Sequence, residues 1–168
     1  MDGERHDPAS LRFAGYASIF HEADSGRDVV MPGAFERALR DVGREAGRGA
    51  VPLLWQHEAR EPIGRIERMS ADERGLRVIG QIALGTRRGR DAAALIRAKA
   101  LTGLSIGYRV RRAEVDRKQR LRRLLDVELI EISLVTFPMQ PRARVLGVET
   151  VVASAWDMTS VETVDGRI

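Results

Sequence analysis

The stretch ALTGLSIGYRV, residues 100–110, alternates small and larger side chains in the manner of a β-strand. Successive side chains of a strand point to opposite faces of a sheet. One face then carries Gly103, Ser105, Gly107 and Arg109, and the other carries Thr102, Leu104, Ile106 and Tyr108. The face with Ser105 is nearly free of side chains next to that serine. This pattern indicates either close packing against a neighbouring element or room for a substrate.

Further strands and two helices are predicted on both sides of this stretch. Strand-like segments occupy residues 11–20, 51–57 and part of 121–137, and EPIGRIERM and RGLRVIGQIAL are typical of a hairpin. Helices are predicted near residues 33–42 and over residues 86–101. Strands outnumber helices and are interspersed with them, which favours an α+β fold with a small barrel or folded sheet. No glycine-rich phosphate loop follows a strand, so a doubly wound fold is disfavoured.

Composition limits the function classes. The chain has 168 residues, 43% hydrophobic and 31% charged, which is typical of one soluble globular domain. It contains no cysteine, so a disulfide framework, a thiolate metal site and a cysteine nucleophile are excluded. No apolar run is long enough to predict a membrane span, and the polar N-terminus does not resemble a secretion signal. The patterned part is residues 1–146, and residues 147–168 are interpreted as a tail or a partner-binding segment.

The basic block RKQRLRR, residues 117–123, raises the question of nucleic-acid binding. Such a block contacts phosphate or, more often, forms a solvated loop or hairpin end. Aromatic residues are only 5% of the chain and do not interleave with the basic residues, as single-strand binding surfaces require. The hairpin end is therefore the favoured interpretation, and a nucleic-acid partner is not expected.

Histidines are few, and only one lies in an apolar element. His6 and His21 lie in polar segments without a second histidine at metal-ligand spacing, which disfavours a metal site. His57 ends the apolar run VPLLWQH, and strand alternation places it on one face with Leu53 and Trp55. It is interpreted either as an ordinary edge histidine or as a general base that acts near neutral pH.

A serine hydroxyl needs such a base before it becomes a good nucleophile, which links Ser105 to His57. A third group usually orients the imidazole, and the strand DVELIEISLVTF offers acids for this role. Glu131 lies between Ile130 and Ile132, where an acid is costly unless it has a partner, and Glu128 is the alternative. An ordinary strand serine and a glutamate paired with an arginine are the competing interpretations. The order His57, Ser105, Glu131 matches no familiar serine-hydrolase order.

Several motifs, in order, resemble the prohead (capsid-maturation) proteases of tailed bacteriophages, which are distantly similar to herpesvirus assembly proteases. The resemblance covers roughly residues 11–146. The motifs are FAGYASIF, DVVMPGAFERAL, VPLLWQHE, PIGRI, LRVIGQIAL, ALTGLSIGYRV and LIEISLVTFPMQPRARV. The resemblance implies an α+β fold with a compact β-barrel-like core surrounded by helices.

The resemblance also implies a serine endopeptidase in which His57 is the base, Ser105 the nucleophile and Glu131 the third member. In the herpesvirus enzymes the third member is a second histidine, and this chain has none after His57. An acid must then serve, either Glu131 or Glu128, or the site works as a dyad. No metal or organic cofactor is implied.

The implied substrates are the major capsid protein, its scaffold or delta segment, and the protease itself, cut inside assembling proheads in the host cytoplasm. Self-association is left open. The alternative is a catalytically silent module that binds capsid or scaffold proteins.

Overall fold

The fold is dominated by β-strands. The structure is a computed structural model that describes residues 10–42 and 51–151. Within those residues it has eight strands and two helices. In chain order they are β1 (Ser10–Ile19), β2 (Asp28–Val30), α1 (Glu36–Val42), β3 (Pro52–Trp55), β4 (Glu58–Ala71), β5 (Gly75–Ala83), α2 (Arg87–Arg97), β6 (Gly103–Asp116), β7 (Leu121–Val135) and β8 (Val145–Val151).

The longest element pair is the antiparallel hairpin of β6 and β7, which contains the ALTGLSIGYRV stretch. Leu104 pairs with Leu134 and Ile106 with Ile132, and these side chains pack in the hydrophobic core. Directly opposite residues of an antiparallel pair share a face. The intervening pair, Ser105 and Ser133, therefore lies on the other face of the hairpin.

The basic block lies at the end of this hairpin, as predicted. Residues 117–120 form the exposed turn between β6 and β7. Two arginines that follow the turn are paired with carboxylates: Arg122 with Asp28 at 2.6 Å and Arg123 with Asp116 at 3.3 Å. Part of the positive charge of the block is thus neutralised within the protein.

All eight strands join one mixed sheet in the order β2-β7-β3-β4-β5-β1-β8, and β6 pairs with β7. Strands β2 and β3 run parallel to β7, whereas the other pairs are antiparallel. The predicted sheet-dominated core is confirmed, and of the two predicted forms, a barrel or a folded sheet, the sheet is not a closed barrel. In the part of the chain that the structure describes, β2 and β8 lie at opposite ends of the strand order and do not pair. The two short helices also do not surround the sheet.

The core lies where the sheet meets the helices. Its largest fully buried side chains include Phe13, Phe35, Leu53, Ile63 and Leu76. Helix α2 adds Ala92, Ala93 and Ile96 to the core. Its N-cap is Thr86, whose hydroxyl accepts the N–H of Gly89 at 2.9 Å. Neither described helix has the length and apolarity needed to cross a bilayer.

Strand β8 extends the sheet beyond the sequence-based division. It pairs antiparallel with β1 from Val145, opposite Gly15, to Val151, opposite Ser10. The division after residue 146 therefore falls inside β8, and residues 147–151 belong to the sheet. The rest of the tail predicted for residues 147–168, from residue 152 onward, lies outside the described residues.

Candidate active site

His57 lies in the two-residue turn that joins β3 to β4. Both turn residues have positive φ, 51° for Gln56 and 60° for His57, which is typical of the type I′ turns of tight hairpins. Strand β3 ends at Trp55, so the strand alternation that placed His57 on a face with Leu53 and Trp55 does not extend to it. The turn, rather than the strand pleat, sets the direction of the imidazole.

Several hydrogen bonds to β7 and the residue after it hold this strained turn. The N–H of Gln56 donates to the carbonyl of Leu134 at 2.9 Å. The Gln56 amide nitrogen donates to the Thr136 hydroxyl at 2.8 Å, and its carbonyl accepts the Thr136 N–H at 3.1 Å. A left-handed conformation costs about 1–2 kcal/mol for a residue other than glycine. These bonds therefore offset the strain of a turn that lacks the usual Asn-Gly pair.

The imidazole of His57 is hydrogen-bonded to Glu131. Nδ1 of His57 lies 2.5 Å from Oε1 of Glu131. Glu131 is only 7% exposed on β7, whereas the His57 side chain is 40% exposed. When Nδ1 donates to the carboxylate, the neutral ring presents Nε2 as a proton acceptor. His57 is therefore the partner that the sequence analysis required for the buried carboxylate of Glu131.

Glu128 is engaged elsewhere. Its carboxylate accepts from the guanidinium of Arg111 at 3.0 Å and lies 3.9 Å from that of Arg109. The side chain is partly exposed in this arginine cluster. The structure therefore brings Glu131, and not Glu128, into contact with His57.

Ser133 takes part in the site although sequence reasoning did not select it. Its hydroxyl donates to Oε2 of Glu131 at 2.7 Å and accepts the backbone N–H of His57 at 3.1 Å. Its position two residues after Glu131 on the same strand was the available signal, because such residues share a face.

Ser105 lies on β6 directly across from Ser133, on the face that carries Glu131. The residue is 6% exposed. Within the described residues, no hydrogen bond joins its hydroxyl to His57. Catalytic hydrogen bonds are often long in unliganded enzymes and tighten only when substrate binds. The structure thus places Ser105 and Glu131 on one face of the hairpin, and it brings His57 into direct contact with Glu131 but not with Ser105.

The glycines beside Ser105 accommodate protein groups. A β-carbon at Gly107 would lie 2.8 Å from Cγ of Glu131, and one at Gly103 would lie 2.8 Å from Cδ of Pro138. Both distances are shorter than real β-carbon contacts. The sequence predicted a strand face without side chains on either side of Ser105. In the structure, Glu131 fills the space beside Gly107, and Pro138 fills the space beside Gly103.

A cavity of about 100 Å³ lies next to Ser105, between β6, β1, the loop after β1 and the segment after β7. Its lining includes Ile19, Asp24, Ser105, Ile106 and Met139. Asp24 accepts the N–H groups of Gly26 and Asp28 at 2.8 and 2.9 Å. Burial raises the pKa of Asp24 above its usual value. This cavity is large enough to hold a small side chain of a bound molecule.

The remaining histidines are not brought to this site. His21 lies exposed in the loop after β1, and His6 lies outside the described residues. The described part of the chain has no group of three or more histidine or acidic side chains arranged to hold a metal ion.

Comparison with known proteins places the chain in a family. The sequence profile described as "Caudovirus prohead serine protease" matches residues 2–160. The chain belongs to the caudovirus prohead serine protease family. The family profile therefore spans all three residues predicted for the site and also strand β8.

Two curated relatives carry capsid-related names. The chain is 31% identical over 141 residues to the prohead protease of Enterobacteria phage HK97, covering 83% of this chain and 60% of that protein. It is 29% identical over 107 residues to the capsid polyprotein of Pseudomonas phage PAJU2, covering 60% of this chain and 16% of that protein. The chain thus spans less than two thirds of the length of each relative.

Solved structures share the fold of this family member. The bacteriophage T4 capsid assembly protease superposes with a TM-score of 0.58 at 15% identity, covering 74% of this chain and 82% of that one. The KSHV protease in complex with a hexapeptide phosphonate inhibitor gives 0.56 at 11% identity, covering 83% and 65%. The expected similarity to the phage and herpesvirus protease fold is confirmed.

Proposed function

We propose that this prohead protease family member is a serine endopeptidase in which Ser105 is the nucleophile, His57 the general base and Glu131 the acid that orients the base. The observation that carries the proposal is the 2.5 Å hydrogen bond from Nδ1 of His57 to the buried Glu131 carboxylate. This bond selects the tautomer whose Nε2 accepts a proton. Ser105 lies two register pairs from Glu131 along the hairpin, on the same face.

The reaction is acyl transfer in two halves. Nε2 of His57 takes the proton of the Ser105 hydroxyl while Oγ attacks a peptide carbonyl carbon. The imidazolium, stabilised by Glu131, then gives that proton to the departing amine, and an acyl-serine remains. A water molecule, deprotonated by the same nitrogen, releases the carboxylate product and restores the serine. The cavity beside Ser105 receives a substrate side chain next to the scissile bond.

The proposed substrates are the major capsid protein and its scaffold or delta segment, and the protease itself is a further one. The names of the relatives support this choice, since one is a prohead protease, one a capsid polyprotein and one a capsid assembly protease. The proposed place of action is the assembling prohead in the cytoplasm of a bacterial host. Self-association there would raise the local concentration of protease and substrate.

The test is incubation of the chain with its cognate capsid protein, followed by mass measurement of both proteins. Ser105→Ala should abolish cleavage and labelling by a serine-directed fluorophosphonate. Ser10→Ala is the matched control, because Ser10 is another buried strand serine, hydrogen-bonded to Gln81. Cleavage by Ser105→Ala at the parent rate would show that another residue is the nucleophile.

A catalytically silent assembly module is the alternative function. The observation that favours it is that no hydrogen bond links Ser105 to His57 among the described residues. Such a module would bind the cognate capsid protein without cleaving it. It would also leave the fluorophosphonate unreacted, even at high protein concentration and with capsid protein present.

A further inference from the structure

The hydroxyl of Ser133 joins the backbone of His57 to the carboxylate of Glu131. Ser133 is fully buried on β7. The Ser133 hydroxyl donates a hydrogen bond to Oε2 of Glu131, with 2.7 Å between the two oxygens. The same Oγ accepts a hydrogen bond from the backbone N–H of His57, with 3.1 Å between nitrogen and oxygen. A hydroxyl has one donor and can accept at its lone pairs, so both of these contacts are made at once.

Each contact restrains a different part of the His57–Glu131 pair. The bond from the His57 N–H holds a residue whose φ is 60°, a conformation that the isolated chain disfavours. The bond to Oε2 fixes the rotation of the carboxylate and leaves Oε1 directed at Nδ1 of His57. A carboxylate that is bound at both oxygens cannot turn away from the imidazole without losing a hydrogen bond.

We infer that Ser133 is a positioning residue that sets the orientation of the His57–Glu131 pair, a role that rests on the proposed function of that pair. Ser133 acts through its neighbours and does not itself take or give a proton in the reaction. Loss of its hydroxyl leaves Oε2 of Glu131 buried without this donor and the His57 turn without one of its restraints. Imprecise orientation of a general base lowers the rate of the chemical step more than it weakens substrate binding.

The first test is independent of catalysis. In a Ser105→Ala background, the proton between Nδ1 of His57 and Glu131 should give a far-downfield NMR signal that is protected from exchange with water. Adding Ser133→Ala should shift this signal and broaden it through exchange, whereas adding Ser133→Thr, which keeps the hydroxyl, should preserve it. The control Ser10→Ala, which removes a buried hydroxyl elsewhere, should leave it in place. An unchanged signal in Ser133→Ala would overturn the inference.

The second test uses the chain with Ser105 intact. Ser133→Ala should lower kcat about tenfold or more, with KM changed less than about twofold. Ser133→Thr should recover most of that loss although its extra methyl crowds a fully buried site and lowers the free energy of unfolding. A purely structural role predicts instead that kcat follows the measured free energy of unfolding, so that the less stable of the two variants is also the slower one.

Two outcomes keep this inference separate from the proposed function. If Ser133→Ala does not fold, Ser133→Cys preserves the volume with a much weaker donor and should show the same loss of signal and of kcat. If Ser105→Ala still cleaves the capsid protein, the proposed function fails, and the NMR signal alone then decides the role of Ser133. Normal kcat and an unchanged signal in Ser133→Cys would also contradict the inference.

Discussion

Gly107 of β6 and Glu131 of β7 are directly opposite each other, and the glutamate side chain fills the space that a β-carbon at position 107 would need. The two residues are thus matched, since the absence of one side chain makes room for the other. The carboxylate in that space is the one that contacts His57. The geometry of the proposed catalytic pair therefore depends on Gly107, although no hydrogen bond among the described residues joins Gly107 to the Ser105 side chain or to the His57 ring.

Gly107→Ala should lower the proposed proteolytic activity by displacing Glu131. The new methyl would push the carboxylate away from Nδ1 of His57, and a misplacement of about 1 Å can cost about 100-fold in rate. We expect kcat/KM for cleavage of the capsid protein to fall by about that factor. Gly147→Ala is the control, because Gly147 also lies in a strand and its β-carbon would meet open space. Equal activity of the two variants would argue against the matched pair.

Glu131→Gln and Glu128→Gln should separate the two acids. The amide at position 131 cannot stabilise the imidazolium as a carboxylate does, so we expect kcat to drop at least about 100-fold. Glu128 forms only partly exposed pairs with Arg109 and Arg111, and its amide should change kcat less than about twofold. Steady-state kinetics on one capsid-derived peptide measures both. A larger loss for Glu128→Gln would assign the acid role to Glu128.

Asp28 should make the stability of the fold depend on pH in the acid range. Two hydrogen bonds from the Arg122 guanidinium and one from the Tyr108 hydroxyl hold the pKa of Asp28 below its usual value. Because this pKa is lowered by folding, the stabilisation is complete above the unfolded value of about 3.9. It is lost as pH falls through the lower, folded value.

Asp28→Asn should therefore lower the free energy of unfolding by about 1.5–3 kcal/mol near neutral pH. The difference from the parent should shrink as pH falls below about 4. Denaturant unfolding at a series of pH values measures it. Asp91→Asn is the control, since Asp91 makes only an exposed 3.8 Å pair with Arg88. A difference that does not change with pH would rule out the Arg122 pairing as its cause.

Lys99→Gly should stabilise the protein. Lys99 follows helix α2 with φ of 57°, and the N–H of Ala100 donates to the carbonyl of Leu95 at 2.9 Å, as in a Schellman motif. Glycine adopts this conformation without strain, so we expect a gain of about 1 kcal/mol and a higher Tm. Lys99→Ala removes the same side chain but keeps the strain, and it should give no such gain. Thermal unfolding of the two variants makes the comparison.

The residues of the site that could be predicted from sequence are those on regular strands. Ser105 and Ser133 face each other because both hairpin strands keep the period of two at this point. Glu131 could be selected because an acid between two isoleucines is costly without a partner. The bulge at Ile130, between the pairs Gly107–Glu131 and Tyr108–Leu129, breaks the period there. Because of this bulge, Leu129 packs against the core although it lies two residues before Glu131 on the same strand.

Other features depend on pairing that no local pattern encodes. The direction of the His57 side chain is set by a two-residue turn. Its residues, Gln56 and His57, are not the Asn-Gly type from which positive φ is predicted. Strand β8 has mostly exposed residues, so it lacks the alternation by which a half-buried strand is recognised. Whether the sheet closes into a barrel depends on contacts between β2 and β8, which are far apart in the chain.

Strand β7 has a consequence for the order in which the proposed site is assembled. It is hydrogen-bonded to β2, β3 and β6, and it carries both Glu131 and Ser133. During synthesis, His57 and Ser105 leave the ribosome before this strand does. Until residue 133 has emerged and inserted beside β3, the histidine has neither its acid nor the hydroxyl that fixes its turn. Under the proposed mechanism, a growing chain would be unable to cleave its neighbours until β7 has joined the sheet.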